Sequence, residues 1–198
     1  MTSLSEDMSQ RFFTSDNHLG HPLVAADRGF DSVADHDDAV CDAWSDAVGK
    51  RDTVYVLCDV VIRNLDANLA RLAKLPGIKH LIAGNHDGVH PNNVGAHRLF
   101  RRYAVAFESI ASAGTVKIAG QRVLLSHFPY VGDHADRSDR YTQWRLPDEG
   151  GPLIHGHVHD EWVVRGRQRN VGIDTSITPV SESAIAEWLR TLQEGEGL

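Results

Sequence analysis

Only two cysteines occur in this 198-residue chain, Cys41 and Cys58, far apart and in no metal-like pair. That excludes a disulfide framework and a structural thiolate-zinc site as organising devices. Long hydrophobic runs are also missing. The opening stretch MTSLSEDMSQ is polar with no hydrophobic signal core, and no later segment approaches a membrane span, so a cytoplasmic protein without a membrane partner is expected. Positive charge is in deficit as well: 20 Lys and Arg stand against 27 Asp and Glu, a formal net charge of −7. Such a balance argues against a protein that coats duplex DNA, and no stable nucleic-acid partner is expected. Internal repeats, low-complexity tracts and long linkers are absent too. The remaining composition, 41% apolar and 24% charged, is that of one ordinary globular domain. We place that domain at residues 10–198, behind a flexible tail of residues 1–9; the sequence leaves the oligomeric state open.

Short apolar runs that stop abruptly at Asp, Asn or His are what the chain does have. RFFTS stops at Asp16-Asn17-His18, and TVYVLC stops at Asp59. KHLIA stops at Gly84-Asn85-His86-Asp87, RVLLS at His127, and PLIH at Gly156-His157-Val158-His159. Rich in Val, Ile and Leu, these runs read as buried strands. Helical spacing separates the first three. Val33, Val40, Trp44 and Val48 make one stripe ending at Gly49, and Leu65, Leu69, Leu72 and Leu75 make another closed by Pro76-Gly77. Strand, helix, strand, helix, strand implies a parallel first half. Hairpins are expected around Ala119-Gly120-Gln121 and Arg165-Gly166-Arg167, and a last helix from about Ser181 carries Ile185, Trp188, Leu189 and Leu192 on one face. The stretch from Phe128 to Gly151 lacks apolar periodicity and is long for a plain connection, which marks it as a functional loop.

Five strand ends thus supply metal-ligand residue types, and the carboxyl ends of strands are where open α/β sheets bind ligands. In HGHVH an extended backbone would put His155, His157 and His159 on one face. Imidazole, carboxylate and one amide, without thiolate, suit Mn²⁺, Fe²⁺, Zn²⁺, Co²⁺ or Ni²⁺. Eight or so donors exceed the needs of one ion, so two divalent transition-metal ions are expected, Mn²⁺ first among them. Ions about 3.5–4 Å apart acidify a shared water and clamp both the attacking and the leaving oxygen of a phosphoryl centre.

In this order, SDNHLGH, RGF, DTVYVLCD, GNHD, LLSHFPY, GHVHD and RNVGID resemble the signature of the calcineurin-like metallophosphoesterases, of the small cap-less bacterial and bacteriophage type. The resemblance covers nearly the whole chain. It implies an α/β fold of two mixed β-sheets packed as a sandwich and flanked by helices. It also implies that Asp16, His18 and His159 bind one ion, that Asn85, His127 and His157 bind the other, and that Asp59 bridges them. By the same resemblance His86 contacts the phosphate and Asp87 orients His86. Cys58 departs from the pattern, which has Gly before the bridging Asp; strand alternation points its thiol away from Asp59, as a buried structural group.

Around this centre, His21, Arg137 and Arg140 join Asn85 and His86 as candidate substrate contacts, with a structural role for His21 equally open. His155 reads as a packed neighbour of the ligands and Asp174 as a loop tie; His36, His80, His90, His97 and His134 are taken as surface residues or left unassigned. The expected activity is hydrolysis of a small phosphate ester, a nucleotide diester such as a 2′,3′-cyclic nucleotide, by a phosphodiesterase. The alternatives are a phosphomonoesterase or protein phosphatase, a nuclease using Arg98, Arg101 and Arg102 or Arg137, Arg140 and Arg145 as a basic rim, and an inactive scaffold. Retention of His86 argues against the last.

Overall fold

A computed structural model describes residues 9–134 and 137–195; all but the last residue of the expected tail lie outside that range. Five of its strands are the five apolar runs. In the first sheet β1 (Arg11–Thr14), β2 (Thr53–Cys58), β3 (Ile78–Ala83) and β4 (Ser109–Ala111) run parallel. The crossovers between the first three carry α1 (Pro22–Asp27), α2 (Val33–Ala47) and α3 (Leu65–Lys74), as parallel pairing requires. After β3 the chain passes through α4 (Phe100–Tyr103) before β4.

In the second sheet β5 (Ala113–Ile118) and β6 (Gln121–Ser126) form a hairpin. Its turn, Ala119-Gly120, has φ of 48° and 82°. Positive φ at both central residues is the backbone a two-residue hairpin needs, so the Ala119 position carries strain that Gly120 avoids. Strand β7 (Leu153–His155) lies parallel to β6, β9 (Gln168–Asn170) parallel to β7, and β8 (Val164–Arg165) antiparallel at the edge. Finally β10 (Val180–Ser181) closes the first sheet antiparallel to β1 and leads into α5 (Glu182–Gly195), where the Ser181 hydroxyl accepts from the Ala184 amide at 3.3 Å. The orders are β10-β1-β2-β3-β4 and β5-β6-β7-β9-β8, two mixed sheets in an α/β chain. The helices stop a residue or two short of the expected ends because Val48 and Leu75 already have extended backbones.

Alternation along the strands builds two cores. Phe12, Val54, Val56, Cys58, Leu81 and Ala83 face Val40, Trp44, Leu69 and Leu72 of the helices. On the opposite face Phe13, Leu57 and Ile82 meet Val116, Val123, Leu125 and Ile154 of the second sheet, with Ile185, Trp188 and Leu189 of α5 closing the layer. Each fully buried Val, Leu, Ile or Phe among them contributes about 1.5–3 kcal/mol. The sandwich has a functional consequence: parallel β1, β2 and β3 end on one rim, and parallel β6 and β7 end opposite them. Among the described residues no helix is long and apolar enough to cross a membrane.

Candidate metal centre

At that rim the two carboxylates are fixed first, by main-chain amides from neighbouring loops. Both Asp16 oxygens accept from the His157 amide, at 3.0 and 3.2 Å, and Asp59 Oδ1 accepts from the His86 amide at 2.8 Å. These contacts explain the glycines of the two histidine motifs. A Cβ on Gly156 would stand 1.9 Å from Ser15 Oγ and 2.3 Å from Asp16 Oδ2; one on Gly84 would stand 1.9 Å from the Cys58 carbonyl and 2.3 Å from Asp59 Oδ1. Only a residue without a side chain lets each loop approach its carboxylate.

Around the carboxylates two overlapping sets of donor atoms fall within 4.8 Å of one another: Asp16, His18 and His159, and Asp16, Asp59 and His127. Asn85 Oδ1 lies 3.2 Å from His127 Nε2, while His127 Nδ1 is occupied by the Leu57 carbonyl at 3.1 Å. Two donors bound to one ion at about 2.1 Å stand about 3 Å apart, so this spacing suits a shared cation. His157 is close, its ring 5.2 Å from that of His127, and the His18 and His159 rings stack at 5.1 Å. The expected donors Asp16, His18, Asp59, Asn85, His127, His157 and His159 therefore all gather at one place.

Electrostatics make this place costly without a cation. Burial, reinforced by the charge of Asp16, pushes the Asp59 carboxyl well above the usual range. Burial, then His159 and Arg28, holds His18 well below the ordinary imidazole value, and both of its ring nitrogens are buried without a hydrogen-bond partner. Burial lowers His127 also, and takes His157 down to about 2. His159 differs: burial lowers it, but the Asp174 hydrogen bond and the charge of Asp16 raise it overall. The neutral rings of His18, His127 and His157 are the protonation state that divalent cations require. The donor chemistry and the orphaned His18 ring thus fit a metal site.

The backbone carries strain here as well. Asp16, His18, His157 and His159 all have positive φ, at 56°, 49°, 73° and 51°. Such residues cost on the order of 1–3 kcal/mol each and cluster at functional sites. They also correct one expectation. HGHVH is not extended: β7 ends at His155, and the left-handed backbone at His157 and His159 turns those rings to the rim. His155 instead hydrogen-bonds the Gly156 carbonyl at 2.7 Å and packs 4.7 Å from the Trp162 ring, a buried neighbour as expected.

Other residues take different parts. Asp87 does not hold His86. Its oxygens accept from the amides of Val60 at 2.9 Å and Gly84 at 2.8 Å, clamping the end of β3 to that of β2. Two main-chain donors leave that carboxylate committed to backbone. His86 is more than half exposed at the mouth, with Nε2 3.9 Å from Asp59 Oδ2 and its ring 5.9 Å from His18. His21 is placed as a structural group: its Nδ1 caps α1 by accepting from the Val24 amide at 3.4 Å, and its ring lies edge-on to His18 at 5.7 Å. The Cys58 thiol is buried and donates to Asn17 Oδ1 at 3.0 Å, and burial pushes its pKa well up, as a structural thiol.

Arg140 does not face the open site; its guanidinium bonds Asp133 Oδ1 at 2.6 Å, and Arg145 bonds Asp133 Oδ2 at 3.1 Å. Arg137 is exposed. His36 and His90 are buried, not at the surface. Each has partners that offset desolvation: His36 meets Asp37 at 2.8 Å and Arg28 at 2.9 Å, and His90 Nδ1 accepts from the Asn92 amide at 3.1 Å.

Three groups escaped the sequence reading or were undervalued there. Arg28, within the quoted RGF segment, bonds the Asp16 carbonyl at 2.8 Å and both oxygens of Asp174. Asp174 in turn reaches His159 Nδ1 at 3.1 Å; burial favours its neutral form, but His159 and Arg28 outweigh burial and hold the carboxyl well below its usual range. Asp133 Oδ1 lies 3.2 Å from His157 Nε2. The signal for Asp133 was the long loop itself, whose singled-out residues were its arginines and not this carboxylate.

Fold and site together define an α/β protein of two mixed sheets whose strand ends gather a cluster of metal-ligating side chains. The chain belongs to the family of the Gene 66 proteins of mycobacteriophages. It is 42% identical over 206 residues to the Gene 66 protein of Mycobacterium phage L5, covering 96% of this chain and 99% of that one. With the Gene 66 protein of Mycobacterium phage D29 it shares 40% over 201 residues, covering 95% of this chain and 100% of the relative. A scan against protein-family profiles gives no match. Among solved structures, the protein of unknown function AQ665 from Aquifex aeolicus aligns with a TM-score of 0.69 at 25% identity, over 91% of this chain and 100% of that one.

Proposed function

We propose that this protein is a binuclear metal-dependent phosphoesterase, favouring diesters of small nucleotides, built on the calcineurin-like metallophosphoesterase plan. One observation carries the reading: donor atoms of Asp16, His18, Asp59, His127 and His159 fall into two overlapping groups within 4.8 Å, Asn85 and His157 lie beside His127, and neither nitrogen of the buried His18 ring has a hydrogen-bond partner. Asp16, His18 and His159 would hold one ion, Asn85, His127 and His157 the other, and Asp59 both. When bound, two such ions supply Lewis acidity to a phosphoryl oxygen and lower the pKa of water.

The chain supplies the rest. His86, at the mouth, has its pKa lowered by burial and by His127, so at neutral pH its ring is uncharged and keeps one N–H to donate. From that position its N–H can hydrogen-bond a phosphoryl oxygen as charge builds there. The amides of His86 and His157 keep the two carboxylates from rotating as charge shifts. Diester preference follows from where the arginines are engaged: Arg28 on Asp174 and the Asp16 carbonyl, Arg140 and Arg145 on Asp133. None of these three is left to balance the second negative charge of a monoester.

The test is a metal count on the purified protein, followed by kcat/KM with Mn²⁺ for bis-p-nitrophenyl phosphate, p-nitrophenyl phosphate, 2′,3′-cyclic AMP and 3′,5′-cyclic AMP. The expected result is two ions per chain and faster hydrolysis of diesters. A preference for the monoester would move the protein to the phosphatases. Two bound ions with no turnover of any ester would favour a binding role.

A further inference from the structure

The two histidines of the Gly-His-Val-His segment each have a carboxylate behind the ring, and the two carboxylates come from different parts of the chain. His159 Nδ1 lies 3.1 Å from Asp174 Oδ2, and Asp174 is gripped through both oxygens by Arg28, at 2.6 and 2.7 Å. His157 Nε2 lies 3.2 Å from Asp133 Oδ1. The Asp133 side chain is itself fully buried, held by Arg140 at 2.6 Å, by Arg145 at 3.1 Å, and by the amides of His134 and Arg140 at 2.8 and 2.9 Å. The same approach of ring to carboxylate thus appears twice, with opposite ring nitrogens: Nδ1 in His159, and Nε2 in His157, which is at pairing distance without an aligned hydrogen bond.

We propose that Asp133 and Asp174 are positioning residues, each fixing the orientation and tautomer of one histidine and so setting the affinity of one ion independently of the other. The inference rests on the two-ion reading of the site. A carboxylate that accepts from one ring nitrogen leaves the other nitrogen unprotonated and aimed at the metal. His159 then offers Nε2 to the ion shared with Asp16 and His18, and His157 offers Nδ1 to the ion shared with Asn85 and His127. The arginines have a defined part: they fix each carboxylate in place. This gives the segment between Phe128 and Gly151 a purpose its composition only hinted at, since it delivers Asp133 to the centre along with the two arginines that hold it.

The experiment is a Mn²⁺ titration of metal-free protein by calorimetry, with Mn²⁺ spin resonance to distinguish single ions from coupled pairs. Wild type is compared with Asp133→Asn and Asp174→Asn, and metal-free melting curves show whether each variant is folded. Asp133→Asn should weaken one ion by about 10–100-fold and Asp174→Asn the other, each leaving the remaining ion near its wild-type affinity. Variants that bind both ions as wild type does overturn the proposal, as does equal loss of both ions in each. Nitrogen-15 spectra of the wild-type histidines need no variant: His157 protonated at Nε2 and His159 at Nδ1 support the assignment, and the opposite tautomer in either overturns it. If wild type holds fewer than two ions, the two-ion reading fails in that measurement, while the tautomers still decide whether the carboxylates orient the rings.

Discussion

Replacing Gly156 with alanine separates a packing role for the motif glycine from a role in the metal centre. The added methyl would stand 1.9 Å from Ser15 Oγ, 2.6 Å from Ser15 Cβ and 2.3 Å from Asp16 Oδ2, all below any real contact distance. Two of the three atoms belong to Ser15, whose hydroxyl is pinned to the Leu57 carbonyl, so the side chain cannot swing away freely. Overpacking a rigid site costs about 1–3 kcal/mol, and here the movement must also break the His157 amide contacts to Asp16. The expected loss is therefore at the upper end, about 3 kcal/mol. Gly151→Ala is the control: its Cβ would meet nothing closer than 3.8 Å, and its stability should change by less than about 0.5 kcal/mol. Adding Ser15→Gly to Gly156→Ala removes two of the three clashing atoms but leaves Asp16 Oδ2. Part of the melting temperature should return while Mn²⁺ affinity does not. Chemical denaturation and metal titration on the four proteins measure both quantities. A Gly156→Ala chain with wild-type stability and wild-type metal binding would refute the close-approach argument.

Two further outcomes are expected. His86→Ala should keep both ions and lose roughly 10²–10⁴-fold in kcat, the usual worth of a positioned acid or base; loss of metal along with rate would make His86 a ligand. For His155, burial lowers the pKa from 6.5 to about 4, so the unfolded chain takes up a proton that the folded chain refuses as pH falls below 6.5. Its contribution is thus fully present above that value and shrinks towards pH 4. Between pH 7 and pH 5 metal-free wild type should lose about 2 kcal/mol more than His155→Phe, read from paired denaturation curves; parallel curves would show that His155 is not kept neutral.

The sandwich was legible in the sequence because buried parallel strands leave little choice of residue. VYVLC and HLIA are apolar on both faces, and the structure uses both, Val56 and Cys58 towards the helices and Leu57 towards the second sheet. The donors were legible for a related reason: each lies within a few residues of the end of such a run, and strand order brings the run ends together. What escaped lacks any period. The two-residue β10, the three-residue β4 and the six-residue α1 are too short to show one. Asp133 and Arg28 lie in loops, where no apolar pattern announces which way a side chain turns.

Asp87 and HGHVH fail in a more instructive way. In both, a pattern along the chain stood in for what the carboxylate or the backbone does in space. Asp87 is one residue from His86, and adjacency suggested a pair; yet a buried carboxylate takes the donors nearest its oxygens, and those are the amides of Gly84 and Val60. In HGHVH, alternation suggested a strand, but the left-handed backbone at His157 and His159 turns two rings to the rim while His155 stays in the core. That conformation is uncommon for any residue with a side chain and has no period. The cost of holding it falls on the residues proposed to take the ions, so what offsets the strain must lie in their contacts: the Asp16 carboxylate under the His157 amide, Asp133 and Asp174 behind the rings, and by our reading the ions themselves. Metal loading should then stabilise the fold by more than its affinity for a relaxed set of ligands would give, because it acts on a backbone already bent to receive it.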